Sequence, residues 1–163
     1  MSEIVVRGAT VEDWPQIWPI YHAIVSAGET YAFPEGSEDE ARATWMERPP
    51  GRTVVAVDDA RVVGTAKYGP NRPGRGAHVA TASFMVAPAE HGRGIGRMLG
   101  RYVVDAVRAE GYRGMQFNAV VEVNEPAVHL WQTLGFEIVG TVPGAFHHAA
   151  RGYVGLHVMY RPF

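Results

Sequence analysis

The stretch F-M-V-A-P-A-E-H-G-R-G-I-G-R-M-L, Phe84 to Leu99, decides how the rest of the chain must fold. Phe84, Met85 and Val86 are apolar and suited to a strand. Pro88 stops that strand, and a turn rich in glycine follows, Gly92-Arg93-Gly94-Ile95-Gly96. Beyond it Ile95, Met98, Leu99, Tyr102, Val103 and Ala106 recur at helical spacing, while Arg97, Arg101, Asp105 and Arg108 face away. Strand, glycine turn and helix N-terminus together make an anion site. The glycines let the backbone come close, and the first-turn N–H groups have no partner within the helix. Arg93 and Arg97 add positive charge where a diphosphate would sit.

Composition bounds the rest. A chain of 163 residues, 47% hydrophobic and 20% charged, is ordinary globular composition for one domain, expected over residues 1–163. A chain of this size buries about 70% of its unfolded surface. A formal charge of −2 with no basic run gives no reason to expect nucleic-acid binding. Zero cysteines exclude disulfides, thiol nucleophiles and thiolate metal sites. No apolar run is long enough for a membrane span. The start, Met1-Ser2-Glu3-Ile4, has no export signal, so a cytoplasmic location is expected.

In order, Ile4 to Arg7 reads as a strand, and Thr10 with Asp13 opens a helix to about Ala27. Val11, Trp14, Ile17, Trp18, Tyr21, Ile24 and Val25 form its apolar stripe, and Pro19 is expected to kink it. Gly28 to Pro34 is a loop carrying Glu29, Tyr31 and Phe33, where aromatic side chains serve either as a substrate wall or as core. Ser37-Glu38-Asp39-Glu40 is a capping box for a short helix to about Arg48. Thr53 to Val57 and Arg61 to Tyr68 make a hairpin about Asp58-Asp59, and Gly69 to Gly76 is a loop. The strand Ala77 to Val86 leads into the glycine turn and the long helix. Met115 to Val123 is a strand, Asn124 caps a helix through Thr133, and strands Glu137 to Val142 and Tyr153 to Tyr160 flank a loop, Pro143 to Gly152. The order β-α-α-β-β-β-α-β-α-β-β implies an α/β fold, with a mixed sheet and helices on both faces.

The glycine turn is neither a dinucleotide fingerprint, since Arg97 stands where the third glycine belongs, nor a Walker loop, since no Gly-Lys-Ser/Thr is present. His91-Gly92-Arg93-Gly94-Ile95-Gly96 resembles the acyl-CoA loop Q/R-x-x-G-x-G/A of the GCN5-related N-acetyltransferases, with His91 in the place of Gln or Arg. Asn124-Glu125-Pro126-Ala127-Val128-His129-Leu130-Trp131-Gln132-Thr133-Leu134-Gly135-Phe136 resembles the family's second signature, N-x-x-A-x-x-L-Y-x-x-x-G-F, and starts 28 residues after Gly96. The resemblance implies that family's fold, with a mostly antiparallel central sheet, and transfer of acetyl from acetyl-CoA to an amine without a metal. It implies that backbone at Met85 and Val86 pairs with the pantetheine arm. It further implies that the turn from His91 through Gly92, Arg93, Gly94, Ile95 and Gly96 to Arg97 holds the pyrophosphate, and that Asn124, Ala127 and Trp131 border the thioester. The block Phe117-Asn118, Asn124 and Leu130-Trp131 is also similar to acetyltransferases of proline analogues and other small amines, which implies a small acceptor.

Many family members carry a tyrosine acid where this chain has Trp131, and an indole N–H does not donate a proton at working pH. A leaving thiolate with a pKa of about 8.5 needs little help. The acceptor amine must be neutral. Deprotonation at pH 7 costs about 4.6 kcal/mol for a lysine-like amine, and about 1 for an α-amino group. That difference favours a small amino acid or amine, with protein or peptide acetylation and a non-catalytic acyl-CoA-binding module as alternatives. Glu29, His78, Glu122 and His129 are the candidate bases. Alternation puts Phe117, Ala119, Val121 and Val123 on one strand face, with Gln116, Asn118, Val120 and Glu122 on the other. Asn118 and Asn124 with Glu29 are the expected catalytic residues, Asn118 serving the oxyanion. Glu29, Tyr31, Phe33, Asn118 and Glu122 are expected to bind the acceptor. His147 and His148 lack a spacing partner for a metal site. A homodimer completes the expectations.

Overall fold

A computed structural model describes residues 2–163. Strand β1 (Ile4–Gly8) leads to helix α1 (Trp14–Ala27), entered through the expected Thr10/Asp13 capping box. Pro19 lies inside α1, and the helix runs on to Gly28, whose φ of 65° supplies a left-handed C-cap. Helix α2 (Glu38–Trp45) starts at Ser37, whose hydroxyl accepts from the Glu40 N–H at 3.2 Å. Then come β2 (Arg52–Asp58), β3 (Arg61–Pro70), β4 (Val79–Val86), α3 (Ile95–Ala109), β5 (Gly114–Val121), α4 (Glu125–Thr133), β6 (Glu137–His148) and β7 (Gly152–Pro162).

The seven strands form one sheet in the order β1-β2-β3-β4-β5-β7-β6, antiparallel except between β4 and β5. β3 and β4 pair from Gly64 opposite Val86 to Pro70 opposite Ala80. β4 and β5 pair only at Val79 opposite Gly114 and Ala80 opposite Met115, and then part. The ladder's direction decides what this parting exposes. The Ala87 N–H donates to Val63 at 2.9 Å and the Asn71 N–H to Val79 at 2.8 Å, both in the β3/β4 register. Amide direction alternates along a strand, so residues 81, 83 and 85 bond β3, while 82, 84 and 86 aim their N–H and C=O at the gap. At about 3.3 Å per residue that open edge is roughly 13 Å long.

Side chains alternate on the same strand. Ala80, Phe84 and Val86 meet α3 and α4 in the larger core, with Ile95, Leu99, Val103, Phe117, Trp131 and Phe136. Met85 meets α1 and α2 in the second core, with Ile17, Tyr21, Val55 and Trp45. Two glycines set how closely α3 is held. A Cβ on Gly64 would lie 2.9 Å from the Ile95 side chain, and one on Gly100 would lie 2.8 Å from Leu134 and 3.0 Å from Trp131.

The structure differs from the sequence reading in four places. The buried face of α3 is Ile95, Leu99, Gly100, Val103, Val104 and Val107, with Met98 and Tyr102 over a third exposed, because Gly100 brings α4 against a neighbouring face. The hairpin turns at Asp59-Ala60, Asp59 taking a φ of 53°. A bulge between Phe117 and Val120 puts both in one core and sends Val121 to a separate cluster with Phe146 and Val154, reversing the expected alternation. Pro143 to His148 continues β6 instead of looping, since Phe146, His147 and His148 pair with Val154, Tyr153 and Gly152.

Candidate active site

The glycine turn closes one end of the open edge of β4. Gly92 (φ 84°) and Gly94 (φ 77°) are left-handed, and a Cβ on either would point into open space. Gly94 is the N-cap of α3 and has no side chain to satisfy the first turn; the first intrahelical bond is Met98 N–H to Gly94 C=O at 3.0 Å. The amides of Ile95, Gly96 and Arg97 therefore remain as donors at the positive end of a 15-residue helix. A diphosphate fits this chemistry, and a wall of Leu130 and Val86 lies beside Gly96.

The arginines divide. The Arg93 guanidinium, expected at the phosphates, bonds Glu90 and also reaches Asp58 at 3.0 Å. It locks the turn to the end of β2, a correction that follows from two carboxylates already claiming it. The Ser2 hydroxyl and then Arg93 hold the Asp58 carboxyl below the usual range, and Arg93 does the same for Glu90. Arg97 reaches the Thr133 hydroxyl at 3.1 Å, tying α3 to α4. His91 is exposed at the start of the turn.

Within the gap, Met85 is also corrected. Its amide faces β3 and its side chain is 1% exposed under α1 and α2, so the groups aimed at the gap belong to Phe84 and Val86. Phe84, which the sequence reading did not single out, is already engaged: the Tyr31 hydroxyl accepts from its N–H at 2.8 Å and donates to its C=O at 2.7 Å. Burial pushes the Tyr31 phenol up to about 12, the Phe84 amide bond opposing. Trp131 packs at 4.7 Å from the Phe84 ring and 4.8 Å from Phe117, so it is mainly core. Asn124 caps α4, its Oδ1 accepting from Ala127 N–H at 3.4 Å. That bond makes it a helix cap first.

The remaining candidates scatter. Phe33 stacks between Tyr31 and Tyr21 and meets Trp45 edge-on, with the Lys67 ammonium 5.6 Å from its ring centre. Glu29 is exposed, with no hydrogen bond or ion pair among the described residues. Asn118 sits at the β5 bulge, where its Nδ2 donates to Asn71 at 2.6 Å and its Oδ1 accepts from Gln116 at 2.9 Å. It therefore fastens β5 to the β3–β4 loop. Glu122 accepts from the Gly155 N–H at 2.6 Å and is a β7 anchor. His78 and His129 are exposed, and the His148 Nδ1 accepts from the Ala150 and Arg151 amides in the β6–β7 turn. Among the described residues, no group of three His, Cys, Asp or Glu is placed to hold a metal ion.

A cleft of about 470 Å³ borders β4 on its α1/α2 side, lined by Thr81, Ala82 and Ser83 and by the cations Arg48, Lys67 and Arg72. Lys67 is held by Glu47 at 3.3 Å and the Thr44 carbonyl at 2.8 Å. Arg48 and Arg72 are exposed and have no ion-pair partner among the described residues. Sequence pattern gave no sign of this cleft, because its lining comes from the α2–β2 loop, β3, β4 and the β3–β4 loop.

A parted sheet beside a glycine-capped helix N-terminus defines the class, and comparison with known proteins agrees. Residues 14–136 match the model of the acetyltransferase (GNAT) family. A solved GCN5-related N-acetyltransferase from Kribbella flavida is 58% identical, covers 98% of each chain and superposes with a TM-score of 0.96. A phosphinothricin acetyltransferase from Sinorhizobium meliloti, solved in complex with acetyl-CoA, is 25% identical over 100% of this chain and 89% of that one, with a TM-score of 0.86. The L-methionine sulfoximine/L-methionine sulfone acetyltransferase of Pseudomonas aeruginosa is 32% identical over 144 residues, 85% of this chain and 83% of that one. The chain spans about half (53%) of a longer relative, an N-acetyltransferase of Schizosaccharomyces pombe. The chain belongs to the acetyltransferase (GNAT) family, and it is an N-acetyltransferase.

Proposed function

We propose that this enzyme acetylates the α-amine of a small amino acid or related amine by direct attack on acetyl-CoA. The observation that carries the reading is the edge of β4 left open between Ala80 and the glycine turn. An extended amide-bearing arm can pair with the Val86 N–H and C=O as an added strand would. The amides of Ile95, Gly96 and Arg97 are the diphosphate donors in this proposal, with Gly92 and Gly94 giving access. The acceptor enters from the cleft on the α1/α2 side, where Arg48 and Arg72 suit a carboxylate. Relatives named for amino acids, methionine sulfone and phosphinothricin support a small acceptor of that kind.

The amine attacks the thioester carbon, and no strong side-chain base is needed when the acceptor is an α-amine. Thiolate leaves without a tyrosine at position 131. Asn118, bonded to Asn71, keeps a positioning role at the cleft wall in this proposal, and Glu29 remains the carboxylate at its loop. A cytoplasmic location, no nucleic-acid partner and pairing of two copies complete the proposal, the last checked by light scattering. Release of CoA thiol measured across L-amino acids, methionine sulfone and lysine-containing peptides tests the acceptor. Turnover on free amino acids supports it; turnover on lysine peptides alone overturns it.

A further inference from the structure

Tyr31 reaches from the loop after α1 into the middle of the open edge of β4. Its hydroxyl takes both backbone polar groups of Phe84, accepting from the N–H at 2.8 Å and donating to the C=O at 2.7 Å. Among the described residues no other side-chain hydroxyl bonds residues 82 to 86. The bond lies where a carbonyl oxygen of a ligand paired along β4 would lie, one amide pair on from Val86. The ring is clamped from behind: it stacks on Phe33 at 5.5 Å, and Phe33 stacks on Tyr21 at 5.9 Å and meets Trp45 at 6.3 Å. The hydroxyl cannot leave the gap without breaking the stack.

Resting on the reading of the gap as the donor's channel, we infer that Tyr31 is a catalytic residue, the side-chain donor to the acyl oxygen. When the thioester carbonyl takes the Phe84 N–H, the Tyr31 hydroxyl gives way and turns its O–H to that same oxygen. As the amine lone pair forms the N–C bond, the carbonyl π pair moves onto oxygen and is met by two donors, the Phe84 N–H and the Tyr31 O–H. Collapse restores the C=O bond and breaks C–S, so CoA leaves as thiolate and the extra amine proton passes to water. Tyr31 keeps its proton throughout. Burial raises its pKa to about 12, which makes it a hydrogen-bond donor and a poor proton source. The loop tyrosine thus fills a role different from that of the acid missing at position 131.

Infrared difference spectra of bound acetyl-CoA labelled with ¹³C at the carbonyl test this without knowledge of the acceptor. The bound carbonyl band should lie lower in the native enzyme than in Tyr31→Phe, and calorimetry should find acetyl-CoA bound by the variant at least as tightly, since a competitor for the Phe84 N–H is gone. Turnover with methionine sulfone or any amino acid that the native enzyme acetylates should fall about 100-fold. Replacing Tyr31 with 3-fluorotyrosine keeps the ring and strengthens the donor, so the band should drop further; this also decides the matter if Tyr31→Phe does not fold. An identical band in all three proteins overturns the role of Tyr31 alone. Failure of the native enzyme to bind acetyl-CoA overturns the reading of the gap.

Discussion

The two edges of β4 are built from the same eight residues and are treated in opposite ways. On its β3 side the strand is paired from Ala80 to Val86, and the amides of residues 81, 83 and 85 are spent on the ladder. On its β5 side pairing stops after two residues, which leaves Ala82, Phe84 and Val86 facing a gap in the middle of the sheet. Open edges normally lie at the rim of a sheet and are blunted there. An unpaired one between the fourth and fifth strands costs stability unless something else bonds it. Tyr31 bonds the N–H and C=O of Phe84, and the donor substrate is proposed to bond those of Val86. The site is therefore made by pairing withheld from one edge of one strand.

Substitutions on the two edges should have opposite consequences. The largest effect should come from the closed side. Met85→Ala empties a fully buried site under α1 and α2 and should cost about 2–5 kcal/mol in denaturant unfolding. Its acetyl-CoA affinity, measured on folded protein, should stay within about twofold, because the Met85 amide faces β3. Gly94→Val strikes the open side. At a φ of 77° a β-branched residue is strained, and its side chain would project from the turn. Acetyl-CoA affinity should fall at least 100-fold by calorimetry, about 2.7 kcal/mol. Arg93→Ala should have the smallest effect on binding, within about threefold, because its guanidinium is spent on Asp58 and Glu90.

The same substitution has a pH signature. Asp58 has its pKa depressed in the folded protein, by Ser2 first and Arg93 next. Its contribution to stability is present above the unfolded carboxylate value of about 3.9 and is lost as pH falls through the folded value. Removing Arg93 brings the folded value back toward the unfolded one. The midpoint of acid unfolding should then move to higher pH in Arg93→Ala, and an unmoved midpoint would deny the clamp.

Local chemistry was legible in the sequence. Glycines at 92, 94 and 96, the stop at Pro88 and the periodic helix after them identify the turn from neighbours alone. The order of elements gave the mixed sheet with helices on both faces. Choices fixed by distant partners were not legible. Whether Met85 or Phe84 offers its amide to the gap depends on the pairing with β3, and a one-residue change of register swaps them. Arg93 lies 35 residues from Asp58, and Tyr31 lies 53 from Phe84. The bulge after Phe117 reversed the alternation that had aimed Glu122 at the cleft. Asn118 is polar on a strand because it binds Asn71, a partner that only the folded chain supplies.

Amide hydrogen exchange, read residue by residue by NMR with and without acetyl-CoA, tests the withheld edge most directly. The Met85 N–H should be protected in the free enzyme and little changed by acetyl-CoA, whereas the Val86 N–H should exchange fast when free and slow by at least tenfold when acetyl-CoA is bound. Equal protection of Met85 and Val86 in the free enzyme, or a Val86 amide indifferent to acetyl-CoA, would contradict the withheld edge.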